Sequence, residues 1–231
     1  MTVTSSPIEE SLTRAEQAVD AGEGLSGTGF WRAVSTVKSQ PELAERYADR
    51  IAAIDERAHR DWAMLVIPLG VGAVIAVVAI MVGLALVWWA YALDGGPAIV
   101  AFLIGSGVLI ASTHALAHLV VGMILGIRFN YWFVGRISRP QPGVKVDYAT
   151  YLRTKPVKRA WMHASGAIVT KAIPFLLIGA AVAADLPDWV AWALAAFGVA
   201  TIATDVLWST KASDWKKFRR EMRFARDQRS A

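Results

Sequence analysis

The chain of 231 residues contains no cysteine and only four histidines. The lack of cysteine excludes a disulfide framework, a thiolate metal site and a cysteine nucleophile. The absence of cysteine says little about the compartment in which the protein works.

Charged residues are scarce in four long apolar stretches of the chain. A helix needs about 20 predominantly apolar residues to span a bilayer. We therefore predict an all-α membrane protein with about four transmembrane helices. The first two stretches exceed the minimum length, so these helices are expected to tilt or to extend past the membrane. The four stretches are Ala63–Leu93, Pro97–Ile127, roughly Ala160–Ala184, and Trp189–Ser209.

Lysine and arginine are absent from two of the connections between these stretches, 94–96 and 185–188. In contrast, the connection 128–159 carries eight Lys or Arg residues against Asp147 alone, and the tail after Ser209 carries eight more. The positive-inside rule places this connection and both termini in the cytoplasm. The sequence thus predicts a multi-pass protein of the inner (cell) membrane, with the lipid bilayer as a partner. No nucleic-acid partner is expected, because basic segments beside spans usually face anionic lipid.

Three segments follow from these patterns. Residues 1–62 are predicted to form a cytoplasmic or interfacial segment of amphipathic helices, in which Ser6 caps the first helix and Pro41 starts another. This segment either lies on the inner membrane surface or packs on the cytoplasmic loops. Residues 63–209 form the predicted four-helix transmembrane domain, with 128–159 as its polar cytoplasmic loop, and 210–231 form a basic cytoplasmic tail.

The loop contains one extended pattern. Val144, Val146 and Tyr148 alternate along the chain after a turn rich in proline and glycine. This spacing favours a short β-strand or a re-entrant segment, which could hold an extended peptide by edge pairing. The alternative is an ordinary loop.

His114 and His118 lie four residues apart inside the second apolar stretch. Residues at this spacing share one face of a helix, with Cβ atoms roughly 5–6 Å apart. Two imidazoles placed in this way can converge on one metal ion. Small residues on the same helix predict that His118 points into the helix bundle. The alternative is a pair of buried histidines bonded to backbone carbonyls or to each other.

A third ligand is predicted from helix four. Asp205 is costly inside a membrane unless it is paired or coordinates a metal ion. It could complete a set of two histidines and one carboxylate, or it could form an ion pair with Lys171 of helix three, which needs a counter-charge as well. His163 lies near the cytoplasmic end of helix three, where it is either interfacial or supports the metal site.

These segments resemble the site-2 protease family of intramembrane zinc metalloproteases. THALAHLVVGMILGIRF is similar to the HExxH helix of that family, and TDVLWSTKASDWKKF is similar to the segment that carries the third zinc ligand, an aspartate. The resemblance covers roughly residues 105–215. It implies zinc bound by His114, His118 and Asp205, with a transmembrane peptide as substrate. In such enzymes zinc activates a water molecule for attack on a peptide carbonyl.

Ala115 occupies the position at which this family carries its glutamate, the general base. A methyl group cannot accept a proton from water, so a chain with alanine at this position is predicted not to hydrolyse peptides. Three explanations fit: a natural pseudoenzyme, an engineered inactive form, or a divergent branch with other chemistry.

Two further classes of function stay open. Four-helix membrane cytochromes hold haem between histidines on facing helices, and His163 with His114 or His118 could form such a pair. Alternatively, the protein is an accessory or scaffold subunit of a membrane complex, bound through its N-terminal helices. A haem absorption spectrum would support the first class. Retention of function after replacement of both His114 and His118 would support the second.

Overall fold

The computed structural model describes residues 6–137, 142–207 and 213–230. Helices make up 79% of the described residues. It forms two compact units. The first contains the described residues of Met1–Pro68, Gly122–Arg159 and Glu221–Ala231, and the second contains those of Leu69–Val121 and Ala160–Arg220.

The elements follow one another along the chain as nine helices and three strands within the described residues. They are α1 (Pro7–Asp20), α2 (Phe30–Ser39), α3 (Pro41–Trp62), β1 (Leu65–Pro68), α4 (Leu69–Trp89, continued by a 3₁₀ turn, Ala90–Ala92), α5 (Gly95–Ile124), β2 (Phe129–Val134), β3 (Pro142–Val146), α6 (Tyr148–Arg153), α7 (Pro156–Ala183), α8 (Asp188–Leu207) and α9 (Asp214–Ser230).

Three helical segments are long and apolar enough to cross a membrane by length and composition: Leu69–Ala92, Gly95–Ile124 and Pro156–Ala183. The prediction of long apolar helices, compatible with a multi-pass membrane protein, is confirmed for these three. The predicted fourth span corresponds to α8, a helix of 20 residues, and its crossing of the membrane stays a prediction. Helix α7 contains an internal proline, Pro174.

A small antiparallel sheet corrects the all-α prediction. Its strand order is β1-β2-β3, with Ile67 opposite Trp132 and Trp132 opposite Val144. The extended segment predicted around Val144 and Val146 is β3, an outer strand of this sheet. The first apolar helix begins at Leu69 rather than Ala63, because the residues between them include β1, which pairs with β2.

The N-terminal helices pack against one another. The Ser6 side chain accepts a hydrogen bond from the Glu9 backbone amide, so the predicted cap at the start of α1 is confirmed. Helix α3 begins at Pro41, also as predicted. Helix α2, whose Phe30 and Val37 side chains are fully buried, is not predicted by the local sequence pattern.

Helix α3 also packs against elements of the middle loop. Its Asp55 forms a buried ion pair with Lys145 of β3, and Arg153 of α6 binds the carboxylate of Asp49 at 2.6 Å. Of the two predicted positions for the N-terminal segment, these contacts favour packing on the loop rather than lying on the membrane surface.

A buried polar cluster holds part of the C-terminal helix in the first unit. Glu221 Oε1 accepts hydrogen bonds from Lys38 Nζ at 2.9 Å and from the Tyr151 hydroxyl at 3.0 Å, and its Oε2 accepts from Arg159 Nε at 2.8 Å. All four side chains are buried. Burial, and next the charge of Glu221, raise the pKa of Tyr151 well above its ordinary value, so the hydroxyl stays a donor. The tail predicted to stand apart as 210–231 thus supplies a central residue of this core.

Glycines permit close helix contacts in the second unit. A Cβ atom at Gly105 of α5 would lie 2.7 Å from the carbonyl oxygen of Gly83 in α4, which no real side chain allows. Small residues of this kind let membrane helices approach at backbone distance. Phe102, Leu109, Leu177 and several neighbouring apolar side chains fill the core around this contact.

Candidate metal centre

Helix α5 presents His114 and His118 on one face, as their spacing predicts. Their ring centroids lie 4.8 Å apart and the rings are perpendicular. The side chain of His118 is 13% exposed and that of His114 is 38% exposed. The pair therefore has a largely buried member and a partly exposed member.

Asp214, the first residue of α9, lies between the two imidazoles. Its Oδ2 atom is 3.2 Å from His114 Nε2 and 3.1 Å from His118 Nε2. The three donor atoms lie within 4.8 Å of one another, so the group could hold a metal ion. A tetrahedral zinc ion with bonds of about 2.0–2.2 Å separates its ligand atoms by roughly 3.3 Å. In the parts of the chain that the structure describes, this is the one cluster of three such ligands.

Hydrogen bonds at Nδ1 fix the orientation of both imidazoles. His118 Nδ1 lies 2.7 Å from the carbonyl oxygen of Met162, which can only accept, so this nitrogen donates. His114 Nδ1 lies 2.8 Å from the Thr170 hydroxyl, which itself donates to the Gly166 carbonyl at 2.9 Å. The Thr170 oxygen therefore accepts from His114. Both Nε2 atoms are thus the nitrogens left to bind a metal, and both face Asp214.

The carboxylate of Asp214 is held in its charged form. Its second oxygen, Oδ1, accepts a hydrogen bond from Lys217 Nζ at 3.0 Å. Burial alone would raise the pKa of Asp214, but the hydrogen bonds to His114 and His118, with the charge of Lys217, hold that pKa well below its usual range. The site therefore offers a metal ion one negative charge and two imidazole nitrogens.

Gly166 of α7 lies directly against the ring of His118. A Cβ atom at this position would overlap the imidazole, so only glycine permits the observed approach. The same turn of α7 supplies the carbonyl oxygen that accepts from Thr170. Helix α7 therefore shapes the centre through backbone contacts, which a search for ligand residues in the sequence does not reveal.

Asp205 does not lie with the histidines. It forms an ion pair with Lys171, whose ammonium group also donates to the Ala167 carbonyl. The alternative that paired these two residues is the arrangement observed, and Asp214 occupies the place that the resemblance gave to Asp205. Asp214 was missed because it follows the predicted end of the fourth span at Ser209, where the sequence reads as a solvated basic tail. The signal was present, since the segment TDVLWSTKASDWKKF contains both aspartates.

The remaining predicted residues lie around this centre. The His163 ring centroid is 6.5 Å from that of His118, and His163 is not one of the three candidate ligands. Ala115 follows His114 on α5 and is partly buried.

Replacing Thr170 with valine is expected to weaken metal binding by about 10–100-fold, because the partner that orients His114 is lost. Thr170→Ser keeps the hydroxyl and should bind nearly as tightly as the unchanged protein. Thr113→Val is the matched control, since the Thr113 hydroxyl bonds only along its own helix, to Leu109. Competition with a chromogenic chelator measures the zinc affinity. Equal affinities for Thr170→Val and the unchanged protein would show that this hydroxyl does not position His114.

Comparison of the chain with family models, with curated proteins and with solved structures returns no match.

Proposed function

We propose that the protein is a site-2-protease-like membrane protein that binds one zinc ion through His114, His118 and Asp214. With Ala115 in place of the glutamate, it does not hydrolyse peptides. One observation carries this proposal: both Nε2 atoms converge on one oxygen of a partly buried, charged carboxylate. Without a cation between them, these groups are costly to gather next to apolar helices.

The donor set fits zinc. Two imidazole nitrogens and one carboxylate oxygen, with a fourth position for water, are typical of catalytic zinc sites. The hydrogen bonds to Met162 and Thr170 are the supporting contacts that such histidines usually make. The partial exposure of His114 leaves a route by which a water molecule or a ligand reaches the centre.

Zinc, when bound, would polarise a carbonyl group and lower the pKa of a coordinated water. Hydrolysis also needs a group that accepts a proton from that water and returns it to the leaving amine. Ala115 cannot do so, Asp214 is engaged as a ligand and by Lys217, and Asp205 is engaged by Lys171. The missing base accounts for about 10²–10⁴-fold in rate. We therefore assign the centre to metal-dependent binding of a membrane peptide or of a subunit of a membrane complex.

We also propose how the chain is oriented in the membrane. Helix α8 would serve as a fourth span, which places both termini and the polar connections on the cytoplasmic side of the inner membrane. The absence of Lys and Arg from 94–96 and 185–188 supports this orientation. Cysteine accessibility labelling can test it directly, because the chain has no cysteine of its own.

The deciding experiment measures the metal content of the detergent-purified protein together with a His118→Ala variant. We expect about one zinc per chain, lost in the variant, because His118 supplies one of only three protein ligands. An Ala115→Glu variant then tests the ancestral chemistry with a membrane peptide. Cleavage by this variant alone would support the assignment of position 115. Absence of metal after incubation with Zn²⁺ would overturn the proposal and favour a scaffold role.

A further inference from the structure

Three arginines of α9 differ from most arginines of the N-terminal helices, because they lack acidic partners among the described residues. In the N-terminal segment, Arg50 and Arg57 bind the carboxylates of Glu16 and Asp20 at 2.6 Å. Other arginines with a carboxylate partner are Arg46, Arg60, Arg153 and Arg159. By contrast, Arg219, Arg220 and Arg223 are exposed and form no ion pair with any acidic residue that the structure describes.

These three arginines form one face of the helix. At 100° per residue, Arg219, Arg220 and Arg223 fall within an arc of about 100°. The opposite face carries Asp214, which meets the two histidines, and Glu221, which is fully buried. Helix α9 therefore turns Asp214 and Glu221 inward and presents the guanidinium groups of Arg219, Arg220 and Arg223 outward, with the exposed Asp227 one turn beyond Arg223.

Aromatic rings lie beside this surface at the start of a membrane helix. Trp215 and Phe218 stack with centroids 5.2 Å apart, and Trp161 of α7 lies 5.7 Å from Phe218. Trp161 is 51% exposed and lies near the beginning of α7, one of the three helices able to cross a membrane. Tryptophan is enriched at the level of lipid headgroups. The first turns of α9 therefore lie at that level.

We propose that α9 docks on anionic phospholipid headgroups through Arg219, Arg220 and Arg223, and that this docking strengthens metal binding by Asp214. Guanidinium groups bind phosphate oxygens in pairs. Basic residues near an anionic membrane surface contribute about 1 kcal/mol each, or roughly fivefold. Three arginines therefore give about a hundredfold preference for anionic over zwitterionic lipid.

The link to the metal centre runs along α9 itself. Asp214 is its first residue, five positions before Arg219, and the ends of helices fray unless they are held. Headgroups bound to the following turns restrain the turn that carries Asp214. This second part rests on the proposed function, whereas the docking on lipid does not.

The test compares the full chain in nanodiscs of phosphatidylcholine and in nanodiscs of phosphatidylcholine with phosphatidylglycerol. Enrichment of phosphatidylglycerol is measured by mass spectrometry of lipids retained by the protein, and zinc affinity is measured in both nanodiscs. The variant R219Q/R220Q/R223Q should lose the enrichment by about a hundredfold, while R219K/R220K/R223K keeps most of it. The control R32Q/R46Q/R57Q removes three exposed arginines of the N-terminal helices and should behave like the unchanged protein.

Each outcome decides one part of the inference. Equal enrichment of phosphatidylglycerol by the unchanged protein and by R219Q/R220Q/R223Q would overturn the docking. Nucleic acid that copurifies with the unchanged protein and not with this variant, without lipid enrichment, would assign the face to nucleic acid instead. Enrichment with equal zinc affinity in the two nanodiscs would overturn only the coupling. Enrichment without zinc binding in either nanodisc would overturn the proposed function and leave the docking in place.

Discussion

Replacing Glu221 with alanine is expected to destabilise the protein by about 3–5 kcal/mol, because the change leaves two buried cations without their shared counter-charge. Lys38 and Arg159 both bind this carboxylate, and the Tyr151 hydroxyl donates to it as well. Each of these groups lies out of water, where an unpaired charge carries most of its desolvation penalty. Thermal unfolding in detergent, followed by circular dichroism, measures the loss.

A surface ion pair provides the control for this prediction. Asp20 binds Arg57 at 2.6 Å, but both side chains are about half exposed. Asp20→Ala should therefore change stability by less than about 1 kcal/mol. Glu221→Gln keeps the shape of the side chain and should fall between the two. If Glu221→Ala melts at the same temperature as Asp20→Ala, the buried cluster does not hold the first unit together.

Removal of the Asp214 carboxylate is expected to lower zinc affinity by about 10²–10³-fold. Structural zinc sites with four ligands bind with about 10–16 kcal/mol, so one ligand accounts for roughly 3–4 kcal/mol. Asp214→Ala removes the oxygen that lies beside both Nε2 atoms. Isothermal titration or chelator competition with the detergent-purified protein measures the change.

The control must remove Asp205 without leaving a lone charge between helices. Asp205→Leu combined with Lys171→Met removes both members of the ion pair, which buried pairs tolerate far better than loss of one partner. This double variant should bind zinc like the unchanged protein. The opposite result, in which the double variant loses zinc and Asp214→Ala retains it, would restore Asp205 as the third ligand.

Local patterns in the sequence predicted the parts of this molecule that depend on neighbouring residues. The spacing of His114 and His118 suffices to place them on one helical face, since a helix fixes that geometry within a single turn. The cap at Ser6 is equally local. The lengths of the apolar stretches in α4, α5 and α7 predicted three membrane helices in the same way, because about 20 apolar residues in a helix span a bilayer.

The third candidate ligand could not be predicted in this way, because its position depends on how α9 folds back. Asp214 lies 96 residues after His118, in a segment whose composition resembles a solvated tail. Asp205 offered the better local argument, since a carboxylate within an apolar stretch needs a partner. Lys171 provides that partner. The choice between two aspartates nine residues apart is thus made by tertiary pairing of charges.

Strands β1 and β2 were not predicted, for a different reason. Phe129–Val134 is rich in aromatic residues, which favour strands. However, this strand is held on one side by β1, which the hydropathy pattern assigns to the first span. A strand next to a membrane helix and a longer helix have the same apolar composition over these few residues. Pairing with β2 decides between them, and pairing partners are not visible in the local sequence.

Because of Pro174, the turn of α7 that bonds His114 is expected to be more flexible than the turn that bonds His118. A proline has no backbone N–H, so it cannot donate to the carbonyl of the residue four positions before it, which is Thr170. The turn that carries the Thr170 hydroxyl is therefore a compliant part of α7, whereas the Met162 carbonyl that binds His118 lies three turns before the proline. His118 is therefore bonded to a rigid turn of α7, and His114 is bonded to a more flexible turn. Thermal motion at the centre should consequently fall mainly on His114, the more exposed of the two candidate ligands, so that exchange of a bound ion would begin there.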